Sequence, residues 1–189
     1  VSYGDDSCSG ELVDGKGSCE IDLIPSHSGH MELSAVYSGD NSFEPSSNTS
    51  GDKLIVNQAP VEIELTMVTG PFVVGEKFTV TAQVNPVEFG TLVPVKDKVT
   101  IGNGVDSCEA TIQASGSASC DITPTTRDGD DFIATFAGND DFLSAESDPV
   151  SGPTINKADT QVSIATNLNP GVEGSEITFT AQVSVEAPG

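Results

Sequence analysis

Four cysteines carry the clearest chemical signal in this chain. Ten residues separate Cys8 from Cys19, and eleven separate Cys108 from Cys120. Both pairs close alike, as Ser18-Cys19-Glu20-Ile21 and Ser119-Cys120-Asp121-Ile122. Structural zinc sites need closely spaced Cys or His pairs, and the histidines here are limited to His27 and His30. The spacing instead predicts a cross-strand disulfide within each of two hairpins. Closing so short a loop contributes about 2–3 kcal/mol in the chain-entropy model. Local disulfides of this kind belong to an oxidising, extracellular compartment.

Carboxylates offer the next candidate chemistry. Asp128-Gly129-Asp130-Asp131 and Asn139-Asp140-Asp141 flank one short predicted strand at its opposite ends. Hard cations take several oxygen ligands, so Asp128, Asp130, Asp131, Asp140 and Asp141 form a candidate Ca2+ set. Asp5-Asp6, Asp40 and Glu173 supply fewer carboxylates. Neither run has the spacing of an EF-hand or of the calcium-binding nonapeptide, and a solvated acidic face competes with the metal reading. His27 and His30 lie in a polar loop, and the matching stretch 125–130 has no histidine to repeat them. Lys77 opens a predicted strand, but Glu176 takes its place one repeat later, against a Lys–Asn crosslink. Asn48-Thr49-Ser50 fits the glycosylation sequon, in a Ser-rich stretch (45–51) suited to surface sugars. No nucleophile elbow, phosphate-binding loop or zinc-protease helix motif occurs. The glycine-rich segments fall at turns. The chain is therefore not expected to be an enzyme.

The elements that hold these residues come from an internal repeat. Ala35-Val36-Tyr37-Ser38-Gly39-Asp40-Asn41-Ser42-Phe43 returns 99 residues later as Ala134-Thr135-Phe136-Ala137-Gly138-Asn139-Asp140-Asp141-Phe142. Val56-Asn57-Gln58-Ala59 returns as Ile155-Asn156-Lys157-Ala158. Thr79-Val80-Thr81-Ala82-Gln83-Val84 returns as Thr178-Phe179-Thr180-Ala181-Gln182-Val183. Val1-Ser2-Tyr3-Gly4 matches Val99-Thr100-Ile101-Gly102 at a shift of 98, and the cysteines match at 100 and 101. Within each copy the hydrophobic period is two. Phe78, Val80, Ala82 and Val84 alternate with polar residues, as do Ile177, Phe179, Ala181 and Val183. About seven short strands per copy, divided by Gly, Pro and Asn turns, predict an all-β fold of tandem immunoglobulin-like β-sandwiches.

The Tyr-Ser-Gly-Asp-x-x-Phe stretch, the Asn-(Gln/Lys)-Ala linker and the Gly-Glu-x-x-Thr-x-Thr-Ala-x-Val strand resemble the bacterial Ig-like domain of group 3. The resemblance covers nearly the whole chain. It implies tandem seven-stranded sandwiches in large bacterial surface proteins, with no catalytic residues. The hairpin cysteines and the strong acidity depart from that family's pattern.

With the Asn-(Gln/Lys)-Ala linkers as boundaries, residues 58–157 form a complete repeat. Residues 1–57 match the later strands of a repeat, and 158–189 match its first strands. The partners expected are neighbouring repeats, or further copies of the chain joined end to end by strand complementation. A surplus of 29 acidic over 7 basic residues gives a formal charge of −22, which repels nucleic acid and anionic membranes. No apolar run is long enough to insert in a membrane. The expected role is an extracellular or cell-surface stalk, adhesin spacer or filament subunit. The competing role is an ancillary carbohydrate- or protein-binding module of a secreted enzyme. With no Trp and two Tyr, the aromatic platform that sugars need is missing from the composition.

Overall fold

A computed structural model describes residues 1–3, 6–22, 29–48, 53–87, 92–127 and 129–189. Its regular structure is all β. The chain opens with β1 (Ser2–Tyr3), β2 (Asp6–Ser7), β3 (Gly29–Tyr37), β4 (Ser46–Asn48) and β5 (Lys53–Val56). β6 (Val61–Met67), β7 (Phe72–Val73), β8 (Phe78–Pro86), β9 (Lys98–Gly102), β10 (Ser107–Thr111) and β11 (Ser117–Ile122) follow. β12 (Ile133–Phe136), β13 (Ala145–Glu146), β14 (Ile155–Asn156), β15 (Thr160–Thr166) and β16 (Phe179–Val185) complete it. Two compact units result. The first holds Val1–Glu62, Asn85–Pro94 and Ala137–Ala145, and the second Ile63–Val84, Val95–Phe136 and Glu146–Gly189.

The second unit carries the sandwich, as alternation in the sequence requires. One sheet runs β11-β8-β6 and the other β10-β9-β12-β13, with β11 antiparallel to β8 from Ser117↔Gln83 to Ile122↔Phe78. Successive side chains of a strand point to opposite faces, so β8 turns Phe78, Val80, Ala82 and Val84 inward, and all four are buried. Val99 and Ile101 of β9, Ala110 and Ile112, Ala118 and Ile122, and Phe132, Ala134 and Phe136 supply the rest of the core. Phe78 meets Phe132 edge to face at 6.2 Å. Each of these larger side chains contributes about 1.5–3 kcal/mol by leaving water. The one buried polar side chain among the described residues, Ser147, accepts the Ala134 N–H at 2.9 Å.

In the same unit β15 pairs antiparallel with β16, setting Val162 opposite Val183 and Ile164 opposite Ala181. These are the repeat counterparts of β6 and β8. Yet every residue of β15 and β16 is exposed.

The first unit contains a sheet of order β2-β1-β3-β4, with β5 also paired to β3. Strand for strand, that order reproduces β10-β9-β12-β13. Residues 17–21, the counterparts of β11, are not assigned to a strand. β5 also differs from its counterpart β14, which pairs parallel with β7. The first unit extends past the Asn57 linker because the backbone of Ala59 bonds to Asp141 and Leu143 at 2.7 and 3.0 Å. Pro60 also accepts the Val87 N–H at 3.2 Å.

One alignment from the sequence shifts. The backbones of Val1 and Cys8 exchange both hydrogen bonds, as Ile101 pairs with Cys108, so the opening hairpin matches at a shift of 100 rather than 98. A slip of two leaves every side chain on its original face, which is why the 98-residue match looked equally good.

Candidate interaction site

Cys8–Cys19 and Cys108–Cys120 are the bonded pairs, with Cα separations of 5.8 and 6.1 Å. The geometry differs from a bridge between ladder neighbours. β10 and β11 share a turn, closed by the Gln113 N–H to Ser117 carbonyl bond at 2.9 Å, but then enter opposite sheets. Cys108 shares its strand face with buried Ala110, and Cys120 shares its face with Ala118 and Ile122. The disulfide therefore staples one sheet of the sandwich to the other. Spacing alone shows two strands joined by a short loop and says nothing about which sheet each enters.

Asp130 and Asp131 belong to the second unit, and Asp140 and Asp141 to the first. Asp128 lies outside the described residues. Asp131 accepts the Ser151 hydroxyl at 2.9 Å, and the Asp130 N–H donates to the Asn103 carbonyl at 3.1 Å. No group of three or more His, Cys, Asp or Glu able to hold a metal occurs among the described residues. The nearby hollow of about 220 Å3 includes Asp106, Arg127, Asp130 and Asp131 in its lining. Asp106, which the sequence reading passed over, accepts the Thr125 N–H at 3.1 Å and its hydroxyl at 2.7 Å.

Asp40 serves its own turn. Its Oδ1 accepts the N–H groups of Ser42 and Phe43 at 2.7 and 2.8 Å, and its Oδ2 accepts the Tyr37 hydroxyl at 2.7 Å. The Ser42 backbone bond first, then the Tyr37 hydroxyl, hold the Asp40 carboxyl below its ordinary value, and the Tyr37 phenol is raised in return. Asn139 repeats the cap, accepting from Asp141 and Phe142 at 2.8 and 2.7 Å. The recurring Gly-(Asp/Asn)-x-x-Phe was the available signal, since Asp and Asn both close such turns. Gly39 and Gly138 precede these caps with φ of 81° and 83°, where a Cβ would lie 2.9 and 3.0 Å from the Phe43 and Phe142 carbonyl oxygens.

Lys77 forms an exposed ion pair with Asp121 at 2.9 Å, and Thr79 donates to the same carboxylate at 2.7 Å. His30 lies in β3, whose backbone pairs it with Ile55, while His27 lies outside the described residues. Asn48 ends the exposed strand β4, and the rest of its sequon, Thr49 and Ser50, is outside them too. Asp6 pairs with Tyr3 across the first hairpin, Asp5 is outside the described residues, and Glu173 is exposed.

The first unit opens a hollow of about 720 Å3, lined in part by Cys8, Leu12, Cys19, Ala35, Tyr37 and Ser47. The equivalent positions one repeat later show what this surface lacks. Leu12 is 54% exposed where its counterpart Ile112 is 1% exposed, and Phe43 is 68% exposed against 3% for Phe142. Ala35 is exposed where Ala134 is fully buried.

Among known proteins, no family model and no curated protein matches the chain. A solved structure of a 1.5-MDa bacterial ice-binding adhesin, studied for its host cell surface retention, is similar at 14% identity and a TM-score of 0.41. That likeness covers 68% of this chain and spans 43% of the adhesin chain.

Proposed function

We propose that this chain is a load-bearing segment of an extracellular immunoglobulin-like repeat protein, acting as a stalk or adhesin spacer. Its kin would be the group 3 bacterial Ig-like domains that its motifs resemble. The observation that carries this reading is the repeated, stapled sheet. β2-β1-β3-β4 and β10-β9-β12-β13 have the same strand order, and each has a disulfide at the equivalent hairpin. Repetition extends a chain in one direction, and cystines between secreted strands resist unfolding and proteolysis. The acidic surface adds solubility and mutual repulsion between crowded copies.

Two measurements test the proposal. Antibody raised against the chain is expected to label intact source cells, or their surrounding matrix; labelling that requires permeabilisation refutes it. Single-molecule pulling is expected to release less chain from the oxidised sandwich than from the reduced one. The cysteines are 12 residues apart in sequence, which corresponds to about 4 nm of hidden contour length. Equal contour lengths before and after reduction would rule out the staple as a load-bearing element.

A further inference from the structure

We infer that two short patches of parallel pairing, at the entry and the exit of the complete repeat, are the mechanical clamp that carries tension through it. This rests on the load-bearing reading above and names the bonds that bear the load. At the entry, the Ala59 N–H donates to the Asp141 carbonyl at 2.7 Å, and the Leu143 N–H donates back to Ala59 at 3.0 Å. Ala59 thereby runs parallel to Phe142. The Gln58 side-chain amide adds a bond to the Asn139 carbonyl. At the exit, β14 runs parallel to β7, with Ile155 opposite Phe72 and Asn156 opposite Val73. The Phe72 N–H donates to Thr154 at 2.9 Å, and the Val74 N–H donates to Asn156 at 3.0 Å.

Direction decides what these bonds do under load. In a repeat array, tension reaches the sandwich through the Asn57-Gln58 linker and leaves through Lys157. Each patch pairs a segment early in the repeat with one late in it. The early segment is drawn back toward its N-terminal end, and the late one forward toward its C-terminal end. For parallel partners those are opposite ends of the patch. The segments must slide past each other, and every bond in the patch is loaded at once. Antiparallel partners under the same load would be pulled from one end and would open bond by bond. β7 is itself anchored against the pull. Phe72 packs on the buried Phe78 with ring centroids 5.2 Å apart, and the Gly75 N–H donates to the Pro124 carbonyl at 2.9 Å. Glu76 accepts the Val73 N–H at 3.1 Å and closes the turn that follows. The patches therefore set the force at which the sandwich opens, and the Cys108–Cys120 bond limits how much chain is released afterwards.

Pulling the oxidised chain by its two ends tests the assignment. Proline has no N–H, so Leu143→Pro and Val74→Pro each remove one clamp bond. Gln113→Pro is the control. It removes a bond of the same kind, from the Gln113 N–H to the Ser117 carbonyl at 2.9 Å, but inside the loop that Cys108–Cys120 closes, where tension does not reach. All three variants are expected to lower the urea midpoint by similar amounts. Only the two clamp variants are expected to open roughly 10-fold or more faster than wild type at constant force, because forced unfolding follows the barrier rather than the equilibrium. Clamp variants that open at the wild-type rate overturn the assignment, as does a control that weakens as much as they do. The unsubstituted chain gives a second reading that needs no variant to fold. Its sandwich is expected to open in one step of roughly 30 nm, with the cystine-closed residues still hidden. An earlier step at lower force, in which β14 or the Ala59 end comes away alone, overturns the assignment too. None of these results touches the surface-labelling test, so the stalk reading stands or falls separately.

Discussion

Val84 and Val183 occupy the same repeat register but opposite environments, which makes them a matched pair for mutation. Val84 is fully buried in the sandwich, and Val183 is 65% exposed on β16. Val84→Ala removes two methyl-sized groups from a close-packed site. Lost transfer free energy is about 0.8 kcal/mol per group, and the residual cavity brings the total to about 2–3 kcal/mol. Val183→Ala gives up little buried surface in the dilute chain and is expected to cost below about 0.5 kcal/mol. Both changes trade the same strand propensity, so their difference isolates burial. Urea-dependent hydrogen exchange read by mass spectrometry on β8 and β16 peptides reports each strand locally, which avoids assuming that the whole chain unfolds in one step. Equal losses at the two positions would refute the burial contrast.

Other expectations are simpler to state. Replacing Cys108 and Cys120 together by Ser is expected to remove about 3 kcal/mol from the sandwich and lower its urea midpoint; an unchanged midpoint would show that the inter-sheet staple constrains nothing. Gly138→Ala forces a Cβ toward the Phe142 carbonyl at a positive φ and is expected to cost about 1–2 kcal/mol, visible as a lower thermal midpoint. The Asp121 carboxyl is held below its ordinary value by the Lys77 ammonium first and the Thr79 hydroxyl second. Its folded value is the depressed one, so its contribution is present above the unfolded value and is lost as pH falls through the folded one, in the acid range below about pH 4. Lys77→Met is expected to move the Asp121 NMR titration upward, and a curve that does not move would remove Lys77 as the cause.

Much of the fold was legible because period-two patterning is a direct consequence of strand geometry. Phe78, Val80, Ala82 and Val84 announce an inward face, and they are buried. The same pattern in Phe179, Ala181 and Val183 announces the face equally well, but burial depends on a partner strand that periodicity cannot supply. The cysteine partners followed from spacing, whereas their placement in opposite sheets depends on how two strands diverge after a turn. Asp40 stood among the weaker cation candidates and Asn139 outside them; the oxygens of both close turns around Phe43 and Phe142. Short polar side chains serve either purpose, and local backbone geometry decides between them.

The divergence of β10 and β11 also explains where copies of the repeat can differ in length. Within a ladder, an odd insertion turns core residues out to water unless a bulge absorbs it. The first hairpin keeps its length between copies, while the segment between cysteines grows from a separation of 11 to 12. That extra residue falls in the turn where Val13 bonds to Lys16 in one copy and Gln113 bonds to Ser117 in the other. The strands on either side share no ladder, so parity imposes no constraint there. In the sandwich β10 keeps Ala110, and β11 keeps Ala118 and Ile122, toward the core on either side of that turn.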